Sequence, residues 1–373
     1  MNSSRTAMYA QKTFLALKNP YSSVDEVHPA ILADFGRIME DEDVRYVGVK
    51  NRVQIPPTLM SKLRKGGSYR LHTLDVASHG GRAIDIFLRN PVTGRPMTGS
   101  SSGTAINVRI GINDIGIGTD GGGSVLAPAL CLNLYACISP LIESEWLSRF
   151  SRTSTDGISF RPSVGFITRD YDELLRVVSC VLDLDMADME KNTREMASVF
   201  PVPESSDTSD RDGSSVLVME SFAKEKFHSL SCPDVYDSRM PLIEFLKDVL
   251  PTCDAIIAHE GPVDVAGFGD SVFGHWDART RILQRAGKKG LLRVVTMAGA
   301  SAIAVPSHEF ASGIVLICES TPEKIARMLC AARLFVVPED DMTALYISNP
   351  AHYFPVGFND VSEDYFIPAG ERK

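Results

Sequence analysis

Apolar positions recur along this chain at spacings near 3.6 and near 2, interrupted by short runs rich in glycine and serine. "HPAILADFGRIMED" puts Ile31, Leu32, Phe35, Ile38 and Met39 on one face, which predicts an amphipathic outer helix after a polar start. "RYVGVK" alternates Tyr46, Val47 and Val49 in a β-branched run, predicting a strand that ends by presenting Lys50. "GINDIGIGTD" threads Ile112, Ile115 and Ile117 among glycines, the pattern of a buried strand that another backbone approaches closely. "DYDELLRVVSCVLDLD" opens with Asp170 three residues before Glu173, a start like a capping box, and then aligns Leu174, Leu175, Val178, Val181 and Leu182 as a helix. "CDAIIAH", "RVVTM", "SAIAVP" and "SGIVLIC" are short apolar runs that read as buried strands. "TPEKIARMLCAARLF" reads as a helix with Thr321 as cap and Pro322 in its first turn. Strands interspersed with helices predict an α/β layer structure. The acidic, aromatic-free run at 201–215 predicts a flexible surface loop, with strands on both sides able to join one sheet.

Composition narrows the partners. The 373 residues, 44% of them hydrophobic, can fill a sizeable core. With 38 basic and 47 acidic residues the net charge is -9, so nucleic acid and anionic membrane surfaces are not expected as partners. The seven cysteines form no CxxC and no cluster with histidine at zinc spacing, so no metal is expected. They read as small buried hydrophobes in a reducing compartment. The chain shows neither a basic segment followed by an apolar leader core nor the ~20 consecutive apolar residues of a membrane span, which makes a cytoplasmic location the expectation.

The candidate chemistry lies in "TGSSSGTAINVRIGINDIGIGTDGGGSVLAPA", where two glycine and serine clusters bracket one apolar stretch. Gly99 to Gly103 fits GxSxG, which would make Ser101 a nucleophile, but that elbow follows an apolar strand and "RNPVTGRPMT" does not read as one. "GTDGGGS" could be a phosphate nest, but it lacks the Gly-Lys-Ser/Thr ending of a P-loop. Gly121, Gly122 and Gly123 leading into Ser124 let successive N–H groups point into one small space. That suits the oxyanion formed when a serine attacks a carbonyl. The eight histidines fall in no catalytic motif, whereas a buried lysine can serve as base if burial disfavours its charged form.

Together the two clusters and the upstream lysine resemble the amidase signature family, serine hydrolases with a Ser, cis-Ser, Lys triad. "GSSSGTA" is similar to the family's GSSGGSA-type segment, and "GIGTDGGGSVLAPA" to its GTDTGGSxxxPA segment. "YVGVKN", "GFITRDYDELLRVVSCVLD", "DAIIAHEGP" and "MAGASAIAVP" extend the similarity over most of the chain. The resemblance implies one α/β domain over 1–373, with a central mixed, mostly parallel twisted sheet covered by helices on both faces. It implies catalysis by Ser124, Ser100 and Lys50, with a cis bond before Ser100. The oxyanion hole would use the backbone of Gly121, Gly122, Gly123 and Ser124, supported by Gly99, Ser101, Thr119 and Asp120, and no cofactor. The implied partner is a small-molecule amide, and a homodimer is left open.

The chain departs from the family pattern at Thr98, at Ser102 and at Leu126, where relatives carry an arginine that would face Asp120. The stretch between Lys50 and Ser100 is short for the family, and residues 336–373 read as a C-terminal extension without a recognised counterpart. Three functions are weighed: hydrolysis of a small or medium acyl amide, acyl transfer or amidotransfer in biosynthesis, and an inactive binding protein. Phe268, Phe273 and Trp276 read as core. The segments "ESFAKEKFHSLSCPDVYDSRMPLIEF" and "GFGDSVFGHWDART" are candidate pocket lining.

Overall fold

The computed structural model describes residues 3–29, 32, 36, 43–184, 198–203, 227–349 and 353. The helix expected across Ile31 to Met39 and most of the expected loop at 201–215 lie outside them, although residues 201–203 are strand.

The strands in chain order are β1 (Val24–Val27), β2 (Arg45–Lys50), β3 (Tyr69–Asp75), β4 (Ile84–Arg89), β5 (Pro96–Thr98), β6 (Ile115–Asp120), β7 (Tyr135–Ser139) and β8 (Arg152–Thr153). They continue as β9 (Ser159–Phe160), β10 (Ser163–Thr168), β11 (Ser198–Pro203), β12 (Phe227–Cys232), β13 (Ala255–Glu260), β14 (Ser301–Pro306) and β15 (Gly313–Cys318). Eleven of them form one sheet in the order β1-β3-β2-β6-β10-β7-β14-β15-β13-β11-β12, with β4–β5 and β8–β9 as separate two-stranded ribbons. The helices used below are α1 (Ser3–Lys18), α2 (Pro57–Gly66), α3 (Ser102–Arg109), α4 (Leu126–Cys131), α5 (Ser144–Leu147), α6 (Tyr171–Leu182), α7 (Arg239–Val249), α8 (Ala278–Arg285), α9 (Pro322–Ala332) and α10 (Asp341–Tyr346).

The sheet is mixed and flanked by helices on both faces, but it is not mostly parallel. Parallel ladders join β2 to β3 and β6, and β11 to β12 and β13. The other six, including all of those around β10, β7, β14 and β15, are antiparallel. The central antiparallel strands are buried on both faces, so their sequences run continuously apolar as parallel strands do. Alternate residues feed two cores. Ala136, Ile138, Ala302, Ala304, Val315 and Ile317 pack under α3, α4 and α7. Tyr135, Cys137, Ile303, Val305, Ile314 and Leu316 pack against α2, α6 and α9.

Local sequence accounts for most of these elements. Asp170 caps α6 by accepting from Glu173 N at 2.8 Å. The reciprocal half of the box is absent because the Glu173 carboxylate turns to Arg45 Nε at 2.8 Å and Arg176 at 3.0 Å. Thr321 caps α9 by accepting from Lys324 N. "RVVTM", expected to be a strand, is a run of buried turns. The buried Glu260 carboxylate accepts from Gly290 N at 2.7 Å and Leu292 N at 3.0 Å, which holds the preceding residues in a short 3-10 turn. Val294, Ala298 and Ala300 then donate back to Leu291, Val294 and Val295, so the chain closes on itself in turns here instead of pairing with a strand. Among the described residues the cysteines are free thiols, most of them buried.

The described part of the C-terminal segment docks onto the body. Buried Arg109 at the end of α3 bonds Glu339 and Ser348, and Tyr135 Oη donates to Val337 O at 3.3 Å.

Glycine in β6 sets how closely the serine cluster approaches the sheet. A Cβ at Gly118 would lie 2.6 Å from Ser101 Oγ and 2.9 Å from Val125 Cγ2. Gly118→Ala should therefore push the Ser101 loop off the strand. The expected cost is about 1–3 kcal/mol of stability, read as a lowered midpoint in thermal or urea unfolding. An unchanged midpoint would show that the loop does not need this approach.

Candidate active site

Strand β2 carries Lys50 to the edge of a cavity of about 500 Å³, as its position at the end of "RYVGVK" predicts. Lys50, Ser100, Thr119, Asp120, Gly121, Gly122 and Ser124 all line that cavity. The sequence therefore folds to bring together three segments that are up to 74 positions apart.

The lysine is 3% exposed, and its Nζ lies 2.8 Å from Ser100 Oγ, 2.9 Å from Thr119 Oγ1, 3.2 Å from Thr119 O and 3.3 Å from Ser101 Oγ. Among the described residues no carboxylate is hydrogen-bonded to it. Burial is the main cause that brings its pKa down from 10.5 to about 7; Asp120 opposes the shift, and the charges of Arg52 and Arg152 add to it. An amine in that range has a substantial neutral fraction at pH 7 and is mostly neutral by pH 8. It can then donate to Thr119 O and Oγ1 and offer its lone pair to the Ser100 hydroxyl.

Ser100 sits in a turn made by Gly99 at φ +75, a conformation that favours glycine. A side chain at Gly99 would also meet Pro128 of α4 at 2.6 Å. Glycine at this turn sets Ser100 beside Lys50 with a trans bond before the serine. The cis bond implied by the family resemblance is thus corrected: among the described residues only Gly261–Pro262 is cis. Ser101 is fully buried and donates to Thr119 O at 3.4 Å, so it supports the site from beneath and is not the exposed tip of a nucleophile elbow.

Ser124 follows Gly123, which has φ +90 and is buried against Leu292. Its carbonyl accepts from Ser101 N at 3.2 Å, which ties the two clusters together. Ser124 shares the cavity with Ser100, although among the described residues no hydrogen bond joins the two hydroxyls. Of the four backbone groups expected to form an oxyanion hole, Gly123 N donates to Asp120 Oδ1 at 2.9 Å, and Gly123 is not among the cavity-lining residues. Gly121, Gly122 and Ser124 line the cavity, and each is partly exposed.

Asp120 explains how the chain does without the family's arginine. Its carboxylate also accepts from Val125 N at 2.6 Å and from Thr296 Oγ1 at 3.1 Å. Burial raises its pKa, and these donors pull the other way. Leu126, where the arginine would stand, is fully buried in α4. The other two departures are also used. Thr98 Oγ1 donates to Asp264 at 2.7 Å, itself ion-paired with Lys289 at 2.6 Å, and Ser102 Oγ donates to Asp85 at 2.6 Å.

Sequence reasoning missed most of the cavity wall. Arg52, Gln54, Gly80 to Ala83, Arg152 to Thr155, Phe160 and Met297 line it. Arg52, two residues beyond the lysine, was the one with a local signal. The two proposed lining segments contribute Arg239 and Asp270 to Val272. A second cavity of about 590 Å³ shares Thr155, Arg239, Ser271 and Val272 with the first. Trp276, expected in the core, is 75% exposed on the wall of the second cavity, while Phe268 and Phe273 are half-buried and meet edge to face at 5.6 Å. Among the described residues no group of His, Cys, Asp or Glu could hold a metal ion, and no helix is long and apolar enough to cross a membrane.

An amidase family model matches residues 87–220, a span that contains both serine clusters. The peptide amidase of Stenotrophomonas maltophilia superposes with a TM-score of 0.59 at 15% identity, over 89% of this chain and 93% of that one. A glutamyl-tRNA(Gln) amidotransferase chain of Thermotoga maritima gives 0.60 at 15%, over 89% and 92%. A bacterial aryl acylamidase of the amidase signature family gives 0.61 at 14%, over 93% and 95%. No curated protein matches the chain. Residues 87–220 thus carry the sequence pattern of the amidase family, and the chain around them has the fold of the amidase signature enzymes.

Proposed function

We propose that the chain hydrolyses the amide bond of a small or medium acyl amide through an acyl-enzyme on Ser124. The single observation that carries this reading is the buried Lys50 amine, 2.8 Å from Ser100 Oγ, with its pKa brought down to about 7. A serine hydroxyl is a weak nucleophile at neutral pH and needs a base. Neutral Lys50 takes the Ser100 proton as Ser100 takes that of Ser124, and Ser124 Oγ bonds to the amide carbon. The oxyanion is held by N–H groups from Gly121, Gly122 and Ser124, each donor worth about 3 kcal/mol in sites of this kind. The carbon–nitrogen bond then breaks as the proton returns through Ser100 to the leaving amine. Water, deprotonated by the same relay, releases the acid.

The test is labelling with a fluorophosphonate, which needs no knowledge of the substrate. The expected adduct is on Ser124; an adduct on another residue, or none, removes the reading. Acyl transfer to an amine is a second reading that shares this acyl-enzyme, and the likeness to an amidotransferase chain supports it. Hydroxylamine offered in competition with water separates the two: a product that is only free acid excludes transfer. The inactive reading began from the missing arginine, and it is weakened by the backbone and threonine donors that satisfy Asp120.

A further inference from the structure

The cavity beside Ser124 is basic in a chain whose net charge is -9. Four arginines line it, Arg52, Arg82, Arg152 and Arg239, against two carboxylates, Asp120 and Asp270. Two of the arginines are accounted for. Arg82 Nε pairs with Asp270 at 3.0 Å, and Arg239 forms a two-point pair with Asp156 at 2.7 and 2.5 Å. Asp120 is occupied by its backbone and threonine donors.

Arg52 and Arg152 have no carboxylate partner among the described residues. Arg52 is fixed by main-chain acceptors, donating to Asn51 O at 3.0 Å, Ala77 O at 3.2 Å and Ser78 O at 3.1 Å, so its position is set while its charge is not compensated. Arg152 reaches the same turn from β8: a Cβ on Gly81 would lie 3.4 Å from its guanidinium. Both charges act on Lys50, which places them near the reacting groups. With that lysine neutral, Asp120, whose partners are all neutral, is the one wall carboxylate among the described residues without a cationic partner, so the two guanidinium groups leave an excess of positive charge. Two guanidinium groups at one turn of a partly enclosed site suit a carboxylate, which can accept a charge-assisted N–H bond from each.

We propose that the substrate is an amide that also carries a carboxylate, bound between Arg52 and Arg152. This rests on reading the cavity as the amide site, and the measurement is chosen to stand apart from catalysis. Binding of succinanilic acid and of its neutral counterpart N-phenylsuccinamide is measured by calorimetry on the full-length Ser124→Ala chain, which does not require turnover. The acid should bind about tenfold or more tightly than the neutral amide, a preference that Arg152→Gln removes and Arg152→Lys largely keeps. Arg152 is exposed, so its replacement leaves the fold intact; Arg52→Gln is the second variant, with unfolding midpoints as control. Equal binding of the two compounds, binding of neither, or an acid preference that survives both glutamine variants overturns the inference. The fluorophosphonate experiment decides the hydrolase reading separately, since a chain labelled at Ser124 that shows no acid preference loses only the proposed substrate class.

Discussion

Ser124→Ala is expected to lower turnover of any amide the chain accepts by about 10⁴-fold or more, because a hydrolase that loses its nucleophile keeps only the contribution of its oxyanion donors and substrate binding. The loss should fall on kcat with little change in KM, since the hydroxyl bonds to carbon only in the reacting state. Stability should hardly move. The Ser124 side chain has no hydrogen-bond partner among the described residues, and the link between the two clusters runs through its carbonyl, which alanine retains. Steady-state kinetics together with an unfolding midpoint check both halves. Residual activity of more than a few per cent of the unmodified chain would mean that another residue attacks. A collapse of the midpoint would mean that the lost activity reports misfolding.

How far the site could be read from the sequence follows from how local each determinant is. Lys50 was legible because a β-branched run with period 2 ends on it, and Ser100 and Ser124 because glycines are placed where the structure needs close approach or positive φ. Gly118 lets Ser101 sit against β6, Gly99 turns Ser100 toward the lysine, and Gly123 turns the chain into Ser124. The direction of the central strands was not legible, because burial on both faces erases the alternation that marks an antiparallel sheet. "RVVTM" failed for a related reason: a buried turn and a buried strand are equally apolar, and the carboxylate that organises this turn, Glu260, lies more than 30 residues upstream. That the Gly123 N–H is engaged by a carboxylate depends on where the Asp120 side chain points. That Arg52 and Arg152 have no carboxylate partner among the described residues depends on which carboxylates reach the cavity. Both are facts of tertiary structure with no local signature.

The base imposes the second large expectation. Lys50 works only when neutral, so kcat/KM should be nearly flat above pH 8, bend at about pH 7, and fall tenfold for each unit below that. The same shift has a definite sign for stability. Burial lowers the folded-state pKa from 10.5 to about 7, so between those values the unfolded chain binds a proton at this lysine that the folded chain does not. The lysine's cost to folding is therefore full below pH 7 and shrinks as pH rises toward 10.5, and the base is kept neutral at the expense of stability. Lys50→Ala should lower kcat/KM at pH 8 by about 10²–10⁴-fold and flatten the inflection near pH 7. A pH–rate profile of both chains from pH 5 to 9, with unfolding midpoints at each pH, makes the comparison. If the unmodified chain bends only near pH 10, the amine is charged at neutral pH and cannot take the Ser100 proton. If Lys50→Ala keeps both the rate and the bend, some other group is the base, and the 2.8 Å contact between Lys50 and Ser100 serves only to hold the turn.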